Sequence, residues 1–328
     1  MILHFSVSQR TGKKRFNSMR FLVFADLHYQ PGIFYKVDYS SLKQIQERAE
    51  KENCEFMIHA GDFCHGASEI TKDGPVADFV KAYDDFHIPS YHCFGNHDAD
   101  RTSFEEMLGY YHMEKGYYYF DQSGYRFIVC DPNYCLIDGE YIHYSLGNQY
   151  PHPTCINHMP PEQVKWLKET IEASPHPCVI ISHQSFDRSD NDGVKNAREI
   201  RQIFREANER KPHSVLLCIN GHYHKDSIRV LENVCYFNVN SASNDFIGEV
   251  HRLFPEELYK EARFLPNNLI YEDALSAVVT LEGTTITVKG MKSKMFMGVE
   301  RAMTEAPFYD CMGLTTVPEI QSVEIRLR

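Results

Sequence analysis

Short apolar runs punctuate the chain, and each ends on a residue able to bind a metal or move a proton. "RFLVFA" is followed by Asp26 and, two positions later, His28; "EFMIHA" is followed by Gly61 and Asp62. "YHCF" runs into Gly95, Asn96, His97 and Asp98, and "YRFIVC" into Asp131. "CVIIS" precedes His183, and "SVLLCI" precedes "NGHYH", with His222 and His224. Runs of this length and β-branched content predict buried strands.

Helical spacing lies between them. Residues 39–53 put Leu42, Ile45 and Ala49 on one face, and residues 74–86 do the same with Val76, Phe79, Val80 and Tyr83 behind Pro75, a residue suited to a first turn. "PPEQVKWLKETI" aligns Val164, Leu167 and Ile171, and residues 193–210 align Val194, Ala197, Ile200, Ile203, Phe204 and Ala207. Strands alternating with helices predict an α/β fold with a largely parallel inner sheet. Such sheets place ligands beyond the carboxyl ends of their strands, so the polar residues above are expected to share one crevice. "YYYFDQSGYRFIVC" and "SAVVTLEGTTITVKG" predict antiparallel hairpins, the second closing the main domain near residue 290. Residues 132–160, rich in Tyr, Pro, Asn and His, predict a lid or substrate loop carrying Tyr134, Tyr141, Tyr144 and Tyr150. Residues 1–18 are read as an N-terminal tail, 19–290 as the main domain, and 291–328 as a C-terminal extension ending in a strand at "VEIRL".

Composition narrows the function. Hydrophobic content of 43% and charged content of 24% suit a globular core. A formal net charge of −11 weighs against a dedicated duplex-DNA binder, which needs cationic surface. Bound metal ions can invert the local field, so anionic substrates stay open. Cysteines 54, 64, 93, 130, 135, 155, 178, 218, 235 and 311 show no C-x-x-C spacing and often sit in apolar runs, the pattern of reduced, buried thiols. No secretory h-region or membrane span is evident, and a cytoplasmic protein without membrane contact is expected. The sequence leaves oligomeric state open.

The ordered blocks D-x-H (Asp26, His28), G-D (Gly61, Asp62), G-N-H-D (Gly95 to Asp98), H (His183) and G-H-x-H (Gly221 to His224) carry the chemical signal. Mixed oxygen and imidazole donors suit two divalent transition-metal ions, Mn, Fe or Zn, better than Mg or Ca. The set resembles the calcineurin-like metallophosphoesterases over about residues 20–290, most closely the cyclic-nucleotide phosphodiesterase-like branch. That resemblance implies a four-layer sandwich of two mixed β-sheets flanked by helices. It implies that Asp26, His28 and His224 bind one metal, that Asn96, His183 and His222 bind the other, and that Asp62 bridges them. It further implies that a bridging hydroxide attacks phosphorus in a phosphomonoester or phosphodiester of a small-molecule or nucleotide-like substrate. His97 would act on the leaving group or the transition-state charge, with Asp98 orienting its ring.

His65, in "GDFCH", resembles instead the repair nucleases of the superfamily, as do "GNHD" and "HQ" at His183-Gln184. A DNA exo- or endonuclease is therefore one alternative, opposed by the acidic charge and the lack of a basic patch. A non-catalytic scaffold on the same fold is another, opposed by the complete ligand set. His59, His87, His92, His112, His176, His213 and His251 are read as surface or satisfied core residues, and His143, His152 and His158 as lid surface. Asp131 is read as a cap or turn residue.

Overall fold

The structure, a computed structural model, describes residues 18–32, 34–65, 75–151, 157–188, 193–247, 252–299 and 316–328. The tail up to residue 17, the lid segment 152–156 with His152 and Cys155, His251, and residues 300–315 with Cys311 lie outside the described residues.

The strands, in chain order, are β1 (Met19–Phe24), β2 (Met57–His59), β3 (Ser90–Tyr91), β4 (Tyr118–Gln122), β5 (Tyr125–Val129), β6 (Tyr134–Ile137), β7 (Glu140–His143), β8 (Cys178–Ile181), β9 (Val215–Asn220), β10 (Ser227–Leu231), β11 (Val234–Asn238), β12 (Asn244–Phe246), β13 (Asn268–Ile270), β14 (Ala277–Glu282), β15 (Thr285–Lys289), β16 (Met291–Lys292), β17 (Glu319–Ile320) and β18 (Val323–Arg326). The helices are α1 (Tyr39–Lys51), α2 (Pro75–Asp84), α3 (Phe104–Tyr110), α4 (Pro161–Glu172) and α5 (Ala197–Arg210).

Two six-stranded sheets form the centre, in the orders β18-β15-β14-β1-β2-β3 and β10-β11-β9-β8-β5-β4. Both are mixed. β1, β2 and β3 run parallel, while β14 pairs antiparallel with β1. In the second sheet β5, β8, β9 and β11 are parallel, with β4 and β10 antiparallel at its edges.

Period-two alternation explains why the central strands read as unbroken apolar runs: β2, β5, β8, β9 and β11 are buried along their whole length, so both faces are covered. Phe21, Val23 and Ala25 of the first sheet meet Phe127, Val129, Val179, Ile181, Leu217 and Ile219 of the second in one core. Phe21 stacks on Phe56 at 5.0 Å and meets Phe127 edge-on at 5.3 Å across the sheets. The alternate residues Leu22 and Phe24 pack with Leu42, Ile45, Phe79 and Met107 of α1–α3. Ile128, Ile180 and Cys218 pack with α4 and α5. The result is the expected four-layer sandwich, helix–sheet–sheet–helix.

All four predicted helices are present, with shifted ends. α5 starts at Ala197, not 193, because Gly193 is held in a bridge with Ser185. The short α3, with a Ser103–Glu106 capping box, is an addition to the expected elements. Both predicted hairpins form, as β4–β5 and β14–β15. The stretch expected to be an irregular lid contains a third hairpin, β6–β7. β18 pairs with β15, so the chain's last strand belongs to the first sheet. Among the described residues seven cysteines are free and buried, as expected, but Cys135 is disulfide-bonded, which departs from the all-reduced reading. No helix among the described residues is long and apolar enough to cross a membrane.

Candidate metal centre

The parallel strands converge on one end of the sandwich. Asp26 and His28 follow β1, Asp62 follows β2, and Asn96 lies on the turn after β3. His183 follows β8, and His222 and His224 follow β9. Among the described residues three donor groups result, Asp26–His28–His224, Asp62–His183–His222 and, beside them, His65–His97–Asp100, each with its ligand atoms within 4.8 Å of one another. The seven candidate ligands named from sequence thus fall in one place. His28 Nε2 lies 3.2 Å from His224 Nε2 and 4.0 Å from Asp62 Oδ2. His183 Nε2 lies 3.1 Å from Asp62 Oδ2 and 3.2 Å from Asn96 Oδ1. Asp62 Oδ2 therefore faces the first two groups, and its Oδ1 is held by the His97 backbone N–H at 2.8 Å.

The local backbone is unusual where the candidate ligands sit. Asp26, His28, Asp62, His222 and His224 all have positive φ, between 50° and 67°. Non-glycine residues adopt this region rarely and at an energetic cost, and such residues cluster at functional sites. Here it lets a strand end fold back sharply, so that side chains separated by one residue, as in D-x-H and H-x-H, both enter the crevice. Backbone bonds between the turns lock the arrangement: Asp26 N–H donates to the Gly61 carbonyl and His28 N–H to the Asp62 carbonyl.

Two motif glycines are required by close approach. A Cβ on Gly61 would lie 2.2 Å from His183 Nδ1, and one on Gly95 would lie 2.1 Å from Asp62 Oδ1 and 2.2 Å from its backbone nitrogen. Each glycine leaves room for a ligand supplied by a different block.

The electrostatics call for positive charge. His183 Nδ1 donates to the Ala60 carbonyl at 2.8 Å, which turns Nε2 toward the two acceptors Asp62 and Asn96. Burial lowers the His183 pKa, but Asp62 and Asp26 outweigh it and push it up to about 9. Burial, with its imidazole neighbours, holds His28 well below the usual histidine range. Burial and His183 push His222 down to about 3. Inward-facing lone pairs and carboxylates at these spacings are a donor set that fits divalent transition metals.

His97 sits beside this cluster, its ring centre 5.3 Å from that of His28, and its side chain is a quarter exposed. The expected partnership with Asp98 is not what the structure has. Asp98 is fully buried and turned away. Its Oδ2 accepts from the backbone N–H groups of Asp62 at 3.1 Å and Gly95 at 2.8 Å. Its Oδ1 accepts from Cys64 N–H at 2.9 Å and the Tyr111 hydroxyl at 2.8 Å. Asp98 ties together the turns that carry Asp62, Cys64 and Gly95.

The imidazole of His97 is instead oriented by Asp100, whose Oδ2 lies 2.7 Å from Nδ1. Asp100 also meets His65 Nε2 at 3.2 Å and accepts from the Tyr150 hydroxyl at 2.7 Å. Burial lowers the His97 pKa, but Asp100 and Asp62 overcome it and push it up to about 9. His65 stacks on His97 with ring centres 4.6 Å apart, and burial pushes its own pKa down to about 3.

Of the lid tyrosines, Tyr150 reaches this group, while Tyr144 is buried and bonded to Asn157. His143 is not a surface residue: it bonds to buried Asp131 at 2.8 Å and stacks on Phe104. His59 is a buried core residue bonded to His92, which bonds to Asp84.

A family model described as calcineurin-like phosphoesterase matches residues 19–226, more than half the chain. The chain belongs to the calcineurin-like phosphoesterase family. The described fold is similar to a dimetal phosphatase from Danio rerio, with a TM-score of 0.57 at 14% identity, covering 85% of this chain and 99% of that one. It is also similar to GAP50, described as the anchor in the inner membrane complex of Plasmodium, with a TM-score of 0.54 at 13% identity, covering 95% and 89%. A third similar structure is PhoD, with a TM-score of 0.50 at 13% identity, covering 94% and 68%. No curated protein sequence matches. Calcineurin-like phosphoesterases are metal-dependent, in keeping with the donor groups described above.

Proposed function

We propose that this calcineurin-like phosphoesterase is a dinuclear metal hydrolase acting on a phosphomonoester or phosphodiester of a small molecule. The observation that carries the reading is the pair of donor groups facing one carboxylate, Asp62, with His97 set beside them. Asp26, His28 and His224 would hold one ion, Asn96, His183 and His222 the other, and Asp62 would reach both. When bound, two such ions supply a nucleophilic water at neutral pH and Lewis-acid charge on the phosphoryl oxygens.

The chain's own residues do the rest. Asp62 keeps its orientation through the His97 backbone N–H, and Asp26 through the His222 backbone N–H at 3.0 Å. His97 donates from Nε2 to the departing oxygen, since Nδ1 is committed to Asp100. Asp100 fixes the ring's direction and favours its protonated form.

The test is reconstitution with Mn²⁺, metal analysis, and assay on p-nitrophenyl phosphate, bis-p-nitrophenyl phosphate and single-stranded DNA, with Asp62→Asn as the control. Turnover of the small esters that Asp62→Asn abolishes is expected. Activity on DNA alone would favour the nuclease, and a protein that takes up no metal and cleaves nothing would favour the scaffold.

A further inference from the structure

Beside the metal centre lies a pocket of about 480 Å³ walled by His65, His97, Asp100, Arg101, Tyr150, Phe246 and Phe264. Its volume is that of a small-ligand site. His97 forms its inner wall, so whatever leaves phosphorus toward His97 enters this space. The pocket's chemistry is divided. Phe246 stands 5.9 Å from the His28 ring and 5.5 Å from the His224 ring, centre to centre. Phe264 stands 5.8 Å from His65 and 6.4 Å from Phe246. Both pack on buried Phe34, at 6.0 and 5.7 Å. An aromatic wall thus begins at the candidate ligands and runs outward, with Phe246 and Phe264 only partly covered. The Tyr150 hydroxyl is committed to Asp100 and its ring is largely exposed.

Arg101 is the wall's cation. It is exposed and forms no ion pair with a described residue, while the Asp100 carboxylate next to it is engaged by His65, His97 and Tyr150.

We propose that this pocket receives the leaving group of the phosphate ester and selects an aromatic one bearing an anionic substituent directed at Arg101. The inference rests on the phosphoesterase reading and names its substrate class. In the reaction the P–O bond to the aryl oxygen breaks, water supplies the new oxygen on phosphorus, and a proton ends on the departing oxygen. A hydrophilic leaving group has no use for the Phe246–Phe264 surface, whereas an aryl ring buries against it with edge-to-face contacts. A cationic substituent would meet Arg101 unfavourably, whereas a carboxylate or phosphate gains a charge-assisted hydrogen bond.

The experiment uses the Mn²⁺-loaded protein and methyl, phenyl, 4-carboxyphenyl and 4-trimethylammoniophenyl phosphates. Intrinsic reactivity cancels when each variant is compared with the unchanged protein on the same ester. Arg101→Ala should lower kcat/KM for the 4-carboxyphenyl ester about tenfold more than for the phenyl ester. Arg101→Glu should shift the preference toward the trimethylammonio ester. Phe264→Ala should lower the aryl esters about tenfold relative to the methyl ester. Calorimetry with 4-carboxyphenylphosphonate and methylphosphonate should show the same ordering without turnover. Turnover with unchanged ratios in all three variants would overturn the pocket assignment alone. No turnover of any ester by metal-loaded protein would overturn the phosphoesterase reading with it.

Discussion

Replacing Asp98 by Asn keeps the shape of a fully buried side chain but removes one acceptor oxygen from a position with four donors. The carboxylate divides its work: Oδ1 serves Cys64 N–H and the Tyr111 hydroxyl, Oδ2 serves Asp62 N–H and Gly95 N–H. An amide can satisfy one pair. The other pair then faces an NH₂ group, and each stranded buried donor costs about 1–3 kcal/mol. Part of this is offset, because burial and the neighbouring Asp62 already disfavour the charged carboxylate and push its pKa up to about 7. The net expectation is about 2–4 kcal/mol of lost stability. Urea unfolding followed by circular dichroism should place the midpoint of the Asp98→Asn variant roughly 1 M or more below that of the parent. Metal content should fall as well, since two of the tethered turns carry Asp62 and the Gly95–Asn96 step. An unchanged midpoint, with turnover lost to the extent seen on removing His97, would refute the structural assignment and restore Asp98 as the residue acting on His97.

The remaining predictions concern the site itself. His97→Ala should keep its metal by elemental analysis and lose about 10²- to 10⁴-fold in turnover; loss of metal would refute the proposed division between ligands and proton donor. Asp100→Asn should lose about 10- to 100-fold in kcat with metal retained, and kcat as unaffected as that of a distant surface variant would refute its orienting role. Gly95→Ala should be destabilised by about 2 kcal/mol or more and bind metal weakly, because its Cβ meets backbone and carboxylate atoms of Asp62 that cannot step aside. Chelation should lower the thermal midpoint, and Mn²⁺ at about a thousand times its Kd should add about 4 kcal/mol of stability, read from paired melting curves.

The strand ends were legible because apolar runs buried on both faces stand out from their surroundings, and all of these runs but "YRFIVC", which stops at Asp131, stop at a candidate ligand. Asp26, His28, Asp62, His183, His222 and His224 stand at those junctions, and the ordered motif set with its family resemblance separated them from Asp131. The orientation of His97 was not legible in this way. "NHDAD" offers two carboxylates, and adjacency favoured Asp98. The turn at His97–Ala99 is a 3₁₀ helix, in which residues three apart share a face, so His97 meets Asp100 and not its neighbour. A D at i+3 after the histidine was the available signal, usable only once that turn was known. Tyr150 and His65 reach the same carboxylate from loops distant in sequence, which no local period encodes. The β6–β7 hairpin was hidden for a different reason: its partly exposed strands show weak alternation, and Asp138-Gly139, a turn pair, was the one clear mark.

The candidate ligands are drawn from both sheets. Asp26 and His28 belong to the first and His224 to the second; Asp62 belongs to the first and His183 and His222 to the second. Each of these two groups therefore spans the seam along which the two sheets meet, and each ion would act mechanically as a rivet. Hydrogen bonds cross the seam at the crevice, as from His183 to the Ala60 carbonyl, while deeper in the sandwich it is held by side-chain packing such as Phe21, Phe56 and Phe127, which resists compression better than sliding. Small changes in that distant aromatic layer would be felt at the crevice as shear, altering ligand spacing without touching a ligand.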